Sequence, residues 1–505
     1  MDRAPCRSHY CEGTAAMTDT PTAIIDARPV RGSGTPFDVV DPATEEVIAT
    51  IPGAEDALVD RAVTSARAAF DKGDWRLLPV ADKQKVLRDS ADAIDAAADA
   101  IADIECANTG LPYSQVRGRQ VGRAADNFRF FADYIGQMTA ELYEQEANYL
   151  TYVRREPMGV AALISPWNSP LALGSMKIAS AIAFGNSCVI KPAEQAPLGL
   201  TLMTQVIQDA GLPPGVVNLV NGLGVESGDR LVRHPQVDGV SFTGGTRTGK
   251  IIMEAAGAML KPSIMELGGK SANIIFDDAD FDSALDGALI GIFTNNGQQC
   301  LAGSRILVQR GIYDRFVEAF VARAKKVRVG HPRDADTEVG PLMTRAHYDH
   351  VMSFIPAAED AGARVLAGGD RAPGFDRGYY FQPTIVEVDS NSHRLCQEEI
   401  FGPFAAIMPF DTAEEAWTIA NESRFGLVSY IWSRDIAKIM EGQERIFAGT
   451  VWCNTPMIRD LHAPFGGYRE SGVGAEGGRA AESFYTRQKT VSIPRRPLTL
   501  PKLGA

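Results

Sequence analysis

The sequence predicts an α/β protein with two α/β domains and an extended arm, and three patterns carry this prediction. From residue 159 onward, short apolar runs such as GVAALIS alternate with segments long enough for a helix, such as SMKIASAIAF. A second series of the same kind begins at residue 272 with ANIIFDDAD. Strands that alternate with helices in this way indicate βαβ units around a largely parallel sheet. Two stretches of alternating polar and apolar residues, 148–157 and 487–497, lie outside both series.

The segment before the first series reads as helical. Residues 55–140 include EDALVDRAVTSARAAF and ADKQKVLRDSADAIDAAADAIADIE, in which apolar residues recur at the spacing of a helix. The stretches 148–157 and 487–497 alternate like edge strands, and arms of this kind commonly add a strand across a subunit interface. We therefore expect a homodimer or homotetramer built through these arms, with a plain surface hairpin as the alternative.

Composition and charge narrow the class of protein. The chain has 505 residues, which exceeds the size at which a single hydrophobic core stops growing, so two or three domains are expected. Hydrophobic residues make up 45% of the chain and charged residues 22%, as in an ordinary globular enzyme. The 63 acidic residues outnumber the 50 basic ones, for a net charge of −13. This balance argues against a nucleic-acid partner, whereas an anionic substrate needs only one or two arginines.

The amino-terminal segment shows no targeting signal. Its opening stretch, MDRAPCRSHYCEGTAA, lacks the apolar segment of a secretory signal. No apolar run in the sequence approaches the ~18 residues of a membrane span. We expect residues 1–34 to form a disordered extension and the protein to be cytoplasmic, without a membrane partner.

The stretch FTNNGQQCLAG, residues 293–303, sets Cys300 among polar amides and small residues. A structural cysteine normally lies among Val, Leu and Ile, so this setting favours a nucleophile, with a structural thiol as the alternative. The seven cysteines form no CxxC pair, which gives no support for a disulfide framework or a thiolate metal site. His347 and His350 are better explained by an exposed helix face than by a metal site, because no acidic third ligand is suggested nearby.

Polar groups directly follow several predicted strands. ISPWNSP, KPAE and MELGGK each come at the carboxyl end of a strand, where open α/β sheets bind ligands. FTGGTRTGK at residues 242–250 is similar to a phosphate-binding loop, but Ile251 stands where that loop needs Ser or Thr. A strand that turns through glycines into a helix can still bind a pyrophosphate at the helix N-terminus. The alternatives are a structural turn for FTGGT, a solvated Lys-Glu cap for KPAE and a hinge for ELGGK.

Taken together, these motifs resemble the aldehyde dehydrogenase superfamily. Seven pieces occur in the order and spacing of that family over residues 35–495, namely PWN, KPAE, FTGGT, ELGGK, GQQC, EEIFGP and PFGGYRESG. The resemblance implies an aldehyde dehydrogenase-like fold with a Rossmann-type NAD-binding domain, a catalytic domain and an oligomerisation arm. The implied NAD-binding domain comprises 35–147 and 158–268, the catalytic domain 269–459, the arms 148–157 and 487–497, and the return to the cofactor domain 460–486.

The resemblance assigns Cys300 as the nucleophile that attacks an aldehyde carbon. A thiolate suits this role once its pKa is lowered from ~8.5. The backbone N–H of Cys300 and the side-chain amide of Asn168 are expected to donate hydrogen bonds to the resulting oxyanion. Glu266 is expected to be the general base that activates water for thioester hydrolysis, with a pKa raised by partial burial.

The resemblance also implies that the cofactor is NAD, and no metal is expected. A carboxylate at Glu194 beside the ribose 2′ position accepts its hydroxyl and repels a 2′-phosphate, which favours NAD over NADP. Gly245 departs from the family, in which Ser is often found, so one pyrophosphate hydrogen bond is expected to be missing. The residues expected to contact the cofactor are Ile164, Ser165, Trp167, Lys191, Glu194, Gly224, Gly244, Gly245, Thr246, Leu267, Glu399 and Phe401.

The stretch CNTPMIRDLHAPFGGYRESG resembles dehydrogenases of ring-cleavage semialdehydes, such as those of 5-carboxymethyl-2-hydroxymuconate, 2-hydroxymuconate and 2-aminomuconate semialdehyde. This likeness implies a carboxylated substrate and assigns Arg123, Arg459 and Phe465 to its binding. Guanidinium groups pair with carboxylates through two parallel hydrogen bonds, so two arginines suit such a pocket. The alternatives are that both arginines form surface ion pairs, and that the substrate is a betaine-type or a simple aliphatic or aromatic aldehyde.

Two other functional classes are considered, a non-catalytic relative and a cysteine hydrolase. Loss of the nucleophile would mark a non-catalytic relative, whereas Cys300, Glu266 and Asn168 are all present. A cysteine hydrolase would release acid from esters without NAD. Formation of NADH with and without an aldehyde separates these classes from a dehydrogenase.

Overall fold

The structure, a computed structural model that describes residues 20–504, is built on two large sheets flanked by helices. The strands are β1 (Ala23–Ile25), β2 (Arg28–Val30), β3 (Pro36–Asp41), β4 (Glu46–Pro52), β5 (Glu141–Tyr143), β6 (Tyr149–Pro157), β7 (Val160–Ile164), β8 (Ser187–Lys191), β9 (Val217–Val220), β10 (Gly239–Thr243), β11 (Ser263–Glu266), β12 (Ala272–Ile275), β13 (Arg305–Gln309), β14 (Arg364–Ala367), β15 (Thr384–Glu387), β16 (Phe404–Phe410), β17 (Val428–Trp432), β18 (Thr450–Cys453), β19 (Gly472–Val473) and β20 (Thr486–Pro494).

Helices fill most of the connections between the strands. The α-helices are α1 (Asp56–Lys72), α2 (Val80–Ala96), α3 (Ala98–Thr109), α4 (Tyr113–Gln115), α5 (Gly122–Ile135), α6 (Pro170–Ala183), α7 (Leu198–Asp209), α8 (Asp229–Arg233), α9 (Thr246–Ala258), α10 (Phe281–Phe293), α11 (Tyr313–Ala324), α12 (Arg345–Met352), α13 (Phe354–Asp360), α14 (Arg394–Gln397), α15 (Ala413–Asn421), α16 (Ile436–Arg445) and α17 (Gly478–Tyr485). Within residues 20–504 none of them combines the length and the apolar character needed to cross a membrane.

The larger sheet has eight strands in the order β19-β11-β10-β7-β8-β9-β1-β2. The five central strands are parallel, and β19, β1 and β2 join antiparallel at the two edges. The chain runs one way across the sheet from β7 to β9 and the other way from β10 to β11, so the strand order reverses between β7 and β10. Open α/β sheets bind ligands at the carboxyl ends of strands beside such a reversal.

Burial explains why the central strands read as continuous apolar runs. β7 is buried along its whole length, as β8 and β10 are. Ala161 and Leu163 face one core with the helices α2, α5 and α6, while Val160, Ala162 and Ile164 face a second core with α1 and α9. Successive side chains of a strand point to opposite faces, so a strand covered on both faces is apolar at every position.

The second large sheet has seven strands in the order β14-β15-β16-β13-β12-β17-β18. All of its pairs are parallel except β14 with β15. Its strands come from the part of the chain between residues 272 and 453, which matches the second strand-helix series of the sequence. The two sheets confirm the predicted fold class of two α/β domains.

The two stretches predicted as arms lie side by side. β6 pairs antiparallel with β20, so that Tyr149 lies opposite Pro494 and Pro157 lies opposite Thr486. β5 pairs with the other side of β6. The resulting three-stranded sheet is joined to α17 by an ion pair of 2.8 Å between Arg155 and Glu482. We call this three-stranded sheet, β20-β6-β5, the arm sheet.

One sequence expectation about the amino-terminal half needs correction. The disordered extension predicted over residues 1–34 is too long, because β1 is fully buried in the larger sheet between β9 and β2. Residues 1–19 of that prediction lie outside the described residues. The stretch ADKQKVLRDSADAIDAAADAIADIE is helical, as predicted, and forms two helices, α2 and α3, that meet at Ala97, whose φ and ψ of −97° and 9° leave the helical range.

Candidate active site

A pocket of about 510 Å³ lies beside the carboxyl ends of β10 and β11 of the larger sheet, where Thr243 and Glu266 line it. Glu266 ends β11, Asn168 follows β7, and Cys300 comes shortly before β13. The three residues predicted as catalytic and the three predicted to bind substrate all line this pocket: Asn168, Glu266, Cys300, Arg123, Arg459 and Phe465. The structure therefore brings together side chains that are up to 342 positions apart in the chain, from Arg123 to Phe465.

The loop before Cys300 has an unusual backbone. Asn295, Asn296 and Gly297 have φ values of 55°, 56° and 70°, so three consecutive residues lie in the left-handed region. Glycine and asparagine adopt this region at the lowest cost, which explains the NNG sequence. A Cβ at Gly297 would lie 2.2 Å from the carbonyl carbon of Gly402, so only glycine permits this close approach of the two loops.

The amide side chains before Cys300 hold this loop to the rest of the protein. The Nδ2 of Asn296 donates to the carbonyl oxygens of Gly110 and Pro341 at 3.1 and 2.9 Å, and its Oδ1 accepts from the N–H of Gly340 at 2.7 Å. The Oε1 of Gln298 accepts from the N–H of Met343 at 2.9 Å. Polar amides are therefore present beside Cys300 because they replace the regular hydrogen bonds that a left-handed loop lacks.

The two glycines of ELGGK allow the domains to meet at this loop. A Cβ at Gly268 would lie 2.2 Å from Oε2 of Glu399, and a Cβ at Gly269 would lie 2.3 Å from the carbonyl oxygen of Cys300. The N–H of Gly269 donates to Oε1 of Glu399 at 2.9 Å. Any larger residue at either position would push Glu399 or the Cys300 loop away.

The thiol of Cys300 differs from its expected electrostatic state. Burial, and then the charges of Glu399 and Glu266, raise the pKa of Cys300 to about 12, against the lowering that the sequence analysis assumed. Hydrogen bonds from the backbone N–H groups of Cys300 and Leu301 act in the opposite direction. Burial and the two nearby carboxyls both disfavour a negative charge on the sulfur, so the surroundings of Cys300 favour the thiol over the thiolate.

Glu266 is a buried carboxyl that lines the pocket. Its side chain is 5% exposed, and neither of its oxygens has a hydrogen-bond partner among the described residues. Burial raises its pKa well above the ordinary value, and the charge of Glu476 raises it further, while Lys177 and Arg459 lower it. A raised pKa makes a carboxylate a stronger base toward water, which is the property expected of a general base.

Asn168 is positioned by the loop that carries Cys300. Its Nδ2 donates to the backbone carbonyl oxygen of Gln298 at 2.9 Å. The backbone carbonyl oxygen of Asn168 accepts from Nδ2 of Asn295 at 2.9 Å. One amide hydrogen of Asn168 is engaged in this way, and its second has no partner within residues 20–504. The side chain is 8% exposed and lines the pocket, so the second hydrogen is available to a bound oxyanion.

The residues predicted to hold the adenosine end follow adjacent parallel strands. Ile164 ends β7, Ser165 follows it, and Lys191 ends β8. The Nζ of Lys191 lies 3.4 Å from Oε2 of Glu194, and a Cβ at Gly224 would lie 3.9 Å from the same oxygen. Glu194 is thus held at the carboxyl edge of the sheet, with glycine backbone facing it.

The FTGGT motif forms the predicted turn from strand to helix. Gly244 follows β10, Gly245 precedes the first turn of α9, and Thr246 is the first residue of that helix. A Cβ at Gly245 would meet no atom within 4 Å, so the helix N-terminus is open. The N–H of Leu267 donates to the carbonyl oxygen of Ser471 at 2.9 Å, so the residue that follows β11 is bonded to the residue that precedes β19. This turn is at the reversal of strand order, where an anion can meet the helix N-terminus.

An aromatic cluster lies between the two domains. The ring of Trp167 meets the ring of Phe401 edge to face, with centroids 5.2 Å apart, and that of His347 at 5.3 Å. The Nε2 of His347 lies 2.7 Å from the carbonyl oxygen of Phe401, so this nitrogen carries the hydrogen. Phe401 has a φ of 61°, a left-handed conformation that the contact with His347 helps to hold. His347 therefore packs against Trp167 and Phe401 and is half-buried, whereas His350 lies on the exposed helix face that the sequence suggested.

Several residues of the site were not identified from the sequence. Lys177 is fully buried and pairs with Oε1 of Glu476 at 2.6 Å, and its Nζ also donates to Ser241 at 2.9 Å. Arg119 lines the pocket beside Arg123. A lysine inside the apolar helix LALGSMKIASAIAF was a usable signal for the buried pair, but nothing local in the sequence relates it to Glu476.

Comparison with known proteins agrees with this geometry. The model of the aldehyde dehydrogenase family matches residues 30–491. The chain is 42% identical over 447 residues to the 5-carboxymethyl-2-hydroxymuconate semialdehyde dehydrogenase of Escherichia coli, covering 88% of this chain and 94% of that protein. It is 40% identical over 469 residues to the 2-hydroxymuconic semialdehyde dehydrogenase of Pseudomonas sp. strain CF600, covering 91% and 96%.

Solved structures agree with these sequence relatives. The HpcC protein of Thermus thermophilus superposes with a TM-score of 0.94 at 40% identity, covering 98% of this chain and 97% of that one. The NAD+ complex of aldehyde dehydrogenase from Bacillus cereus superposes with a TM-score of 0.94 at 37% identity, covering 98% and 100%. The chain therefore belongs to the aldehyde dehydrogenase family and is an oxidoreductase.

Proposed function

We propose that this protein oxidises an aldehyde to a carboxylic acid with NAD, through a thioester on Cys300, and that its substrate is a carboxylated semialdehyde of the kind formed by aromatic ring cleavage. The general activity rests on family membership together with the joint presence of Cys300, Glu266 and Asn168 in one pocket. The substrate class rests on the arginines of that pocket.

The residues at the carboxyl edge of the larger sheet fit NAD. The open N-terminus of α9 at Gly245 suits a pyrophosphate, and the Lys191–Glu194 pair suits the hydroxyls of a ribose. The hydroxyl of Thr243 is buried without a hydrogen-bond partner among the described residues, where β10 ends. Glu399, whose pKa burial raises to about 7, and Phe401 would hold the nicotinamide end. When bound, NAD supplies the hydride acceptor that turns the Cys300 adduct into a thioester.

The protein's own residues carry the other steps. The thiol of Cys300 first loses its proton to solvent, and the thiolate sulfur then attacks the aldehyde carbon. The carbonyl oxygen becomes an oxyanion that accepts hydrogen bonds from Asn168 and from the backbone N–H of Cys300. Losing one such donor typically costs ~10²–10³ in rate. Glu266 then removes a proton from water, and the resulting hydroxide attacks the thioester carbon. The carboxylic acid leaves and the thiol of Cys300 is restored.

The observation that carries the substrate class is a pair of arginines without partners. Arg459 and Arg123 line the same pocket as Cys300, and neither guanidinium makes a hydrogen bond or an ion pair within residues 20–504. The guanidinium of Arg459 instead lies 4.2 Å above the ring of Phe465. Burial lowers the pKa of Arg459 to about 10, yet this group stays charged at neutral pH. A cation drawn partly out of water without a paired counter-ion is costly, so a substrate carboxylate is the partner that this pocket favours.

Arg459→Ala tests the substrate class. The kcat/KM for a carboxylated muconic semialdehyde should fall about ten- to a hundredfold, because a charge-assisted hydrogen bond contributes about 1.5–3 kcal/mol. A neutral aldehyde of similar length should be nearly unaffected in an assay of NADH formation. Equal losses on both substrates would assign Arg459 a structural role. No loss on either would favour simple or betaine-type aldehydes instead.

We also propose that the protein is a homodimer or homotetramer joined through the arm sheet. Leu142, Tyr143 and Ile493 are 58%, 48% and 47% exposed on this sheet, and its edge strands β5 and β20 leave backbone groups free to pair. A second subunit that covers these residues would remove apolar surface from water.

A further inference from the structure

One wall of the pocket is a single helical segment. α4, the π-helical turn Val116–Val121 and α5 follow one another without a break between residues 113 and 135. Two neighbouring rows of this segment line the pocket: Gly118, Gly122 and Asp126 in one, and Arg119, Arg123 and Asn127 in the other. Residues four apart lie on the same helix face, so each row runs along the wall. π-Helical turns occur frequently at functional sites.

The two glycines of this wall leave space that a side chain could fill. Gly118 is exposed and Gly122 is half-buried; both line the pocket, and a Cβ at either position would meet no atom within 4 Å. Their φ values are not in the left-handed region, so the backbone does not require glycine at either position. Glycine inside a helix costs about 0.5–1 kcal/mol relative to alanine. The packing of the wall does not require these glycines either, because their Cβ positions are empty.

The charges beside the glycines indicate what occupies the space. Arg119 and Arg123 stand on the neighbouring row, and Arg459 and Met457 belong to another segment that lines the same pocket. Neither guanidinium of that row, at Arg119 or at Arg123, makes a hydrogen bond or an ion pair within the described part of the chain. Glu266, which is 5% exposed and without a hydrogen-bond partner there, lines the same space. A ligand over the glycine row would therefore lie within the reach of cations, in the same pocket as Cys300 and Glu266.

We propose that Gly118 and Gly122 determine which aldehydes this enzyme accepts, by leaving room for a broad or branched tail between the α4–α5 segment and the 457–465 segment. The inference rests on the proposed function in taking this pocket as the aldehyde site. The two glycines would select the size of the substrate's tail, whereas the arginines would select its charge. The class of substrate is an aldehyde whose tail is too broad for a pocket with side chains at these two positions.

The test replaces each glycine by leucine and compares aldehydes of different size. The quantity compared is kcat/KM for cinnamaldehyde divided by kcat/KM for propanal. In Gly118→Leu and in Gly122→Leu this ratio should fall about ten- to a hundredfold. One methylene more or less in a pocket already changes specificity by about tenfold or more. Gly118→Ala and Gly122→Ala should give smaller changes in the same direction. Ser114→Leu is the matched control, because Ser114 is exposed on α4 and does not line the pocket. Its ratio should match that of the wild type.

Labelling of Cys300 gives a readout that does not depend on turnover. In the leucine variants, a bulky maleimide should react with Cys300 more slowly relative to iodoacetamide than in the wild type, as measured by mass spectrometry of the Cys300 peptide. An unchanged substrate ratio and an unchanged labelling ratio in folded variants would overturn the proposal. Cinnamaldehyde is neutral, so a failure of the carboxylate assignment would leave this result intact and would appear only with the carboxylated semialdehyde.

Discussion

Glu266 combines burial with the absence of a hydrogen-bond partner among the described residues. Burial and the charge of Glu476 raise its pKa, so the carboxyl ionises at a higher pH than an exposed glutamate does. A general base works only when it is ionised. Thioester hydrolysis should therefore accelerate as the pH rises through the raised pKa of Glu266.

Glu266→Gln should separate the two halves of the reaction. Glutamine has nearly the same shape but cannot accept a proton, so the first turnover proceeds and the thioester then accumulates. Rapid-mixing fluorescence should show a burst of NADH followed by a steady rate reduced by about a hundredfold or more. An unchanged steady rate would mean that another group acts as the base. Cys300→Ser is the control, since it removes the burst as well.

Glu105 is a second buried carboxyl, distant from any role in the proposed reaction. Neither of its oxygens has a hydrogen-bond partner within residues 20–504, and burial raises its pKa to about 8. A Cβ at Gly199 would lie 2.2 Å from its Oε2, so α3 and α7 approach closely around this side chain. The folded protein binds a proton here that the unfolded chain releases at a lower pH.

The free energy of unfolding should therefore fall as the pH rises from about 4.5 to 8, by up to about 1.4 kcal/mol per pH unit from this group. Glu105→Gln should remove that dependence, so its stability advantage over the wild type should grow between pH 5 and pH 9. Urea unfolding at several pH values measures it. Glu359→Gln removes an exposed carboxyl as the control. Parallel pH profiles for the wild type and Glu105→Gln would contradict the prediction.

At the scale of an element, the loop from 294 to 303 is held by long-range hydrogen bonds rather than by its own helix or strand. Asn296 is fully buried and makes three of these bonds, to residues that are 186, 45 and 44 positions away in the chain. Its left-handed backbone suits asparagine but disfavours alanine. The position of Cys300 thus depends on contacts with α3 and with the segment before α12.

Asn296→Ala should lower the free energy of unfolding by about 3 kcal/mol, because it leaves buried backbone groups unpaired and strains the backbone. Asn296→Gly loses the same hydrogen bonds but accepts the left-handed conformation. Its loss should be smaller by about 1 kcal/mol. Both variants should reduce kcat more than they raise KM, since the nucleophile is less well held. Equal free energies of unfolding for the two variants would show that the left-handed backbone at position 296 causes no strain in Asn296→Ala.

At the scale of the whole molecule, the arm sheet projects its apolar residues outward. Leu142→Glu should weaken the oligomer, because it places a charge in the proposed interface. Light scattering at micromolar concentrations should then show the average mass shifting toward the ~54 kDa mass of one chain. Val47→Glu is the control, because Val47 is 54% exposed on the separate β3–β4 hairpin. A wild-type monomer, or an unaltered oligomer for Leu142→Glu, would contradict the proposed interface.

Much of this architecture could be predicted from local patterns. β7, β8 and β10 are buried on both faces, so each is a continuous apolar run that is visible in the sequence. The motifs PWN, KPAE and ELGGK each come directly after or at the end of a strand. Because parallel strands end at the same edge of a sheet, those motifs predict one site. Family membership and the fold class were accessible for this reason.

Other properties depend on contacts between distant residues. The pKa of Cys300 is raised rather than lowered by burial and then by the charges of Glu399 and Glu266, which no local pattern reveals. The pairing of Lys177 with Glu476 joins residues 299 positions apart. The role of β1 in the sheet, the junction of the two arms and the empty space beside Gly118 and Gly122 are likewise products of packing. Periodicity reports which face of an element is buried, but burial alone does not specify which distant element covers it, and that choice sets the electrostatics and the shape of the site.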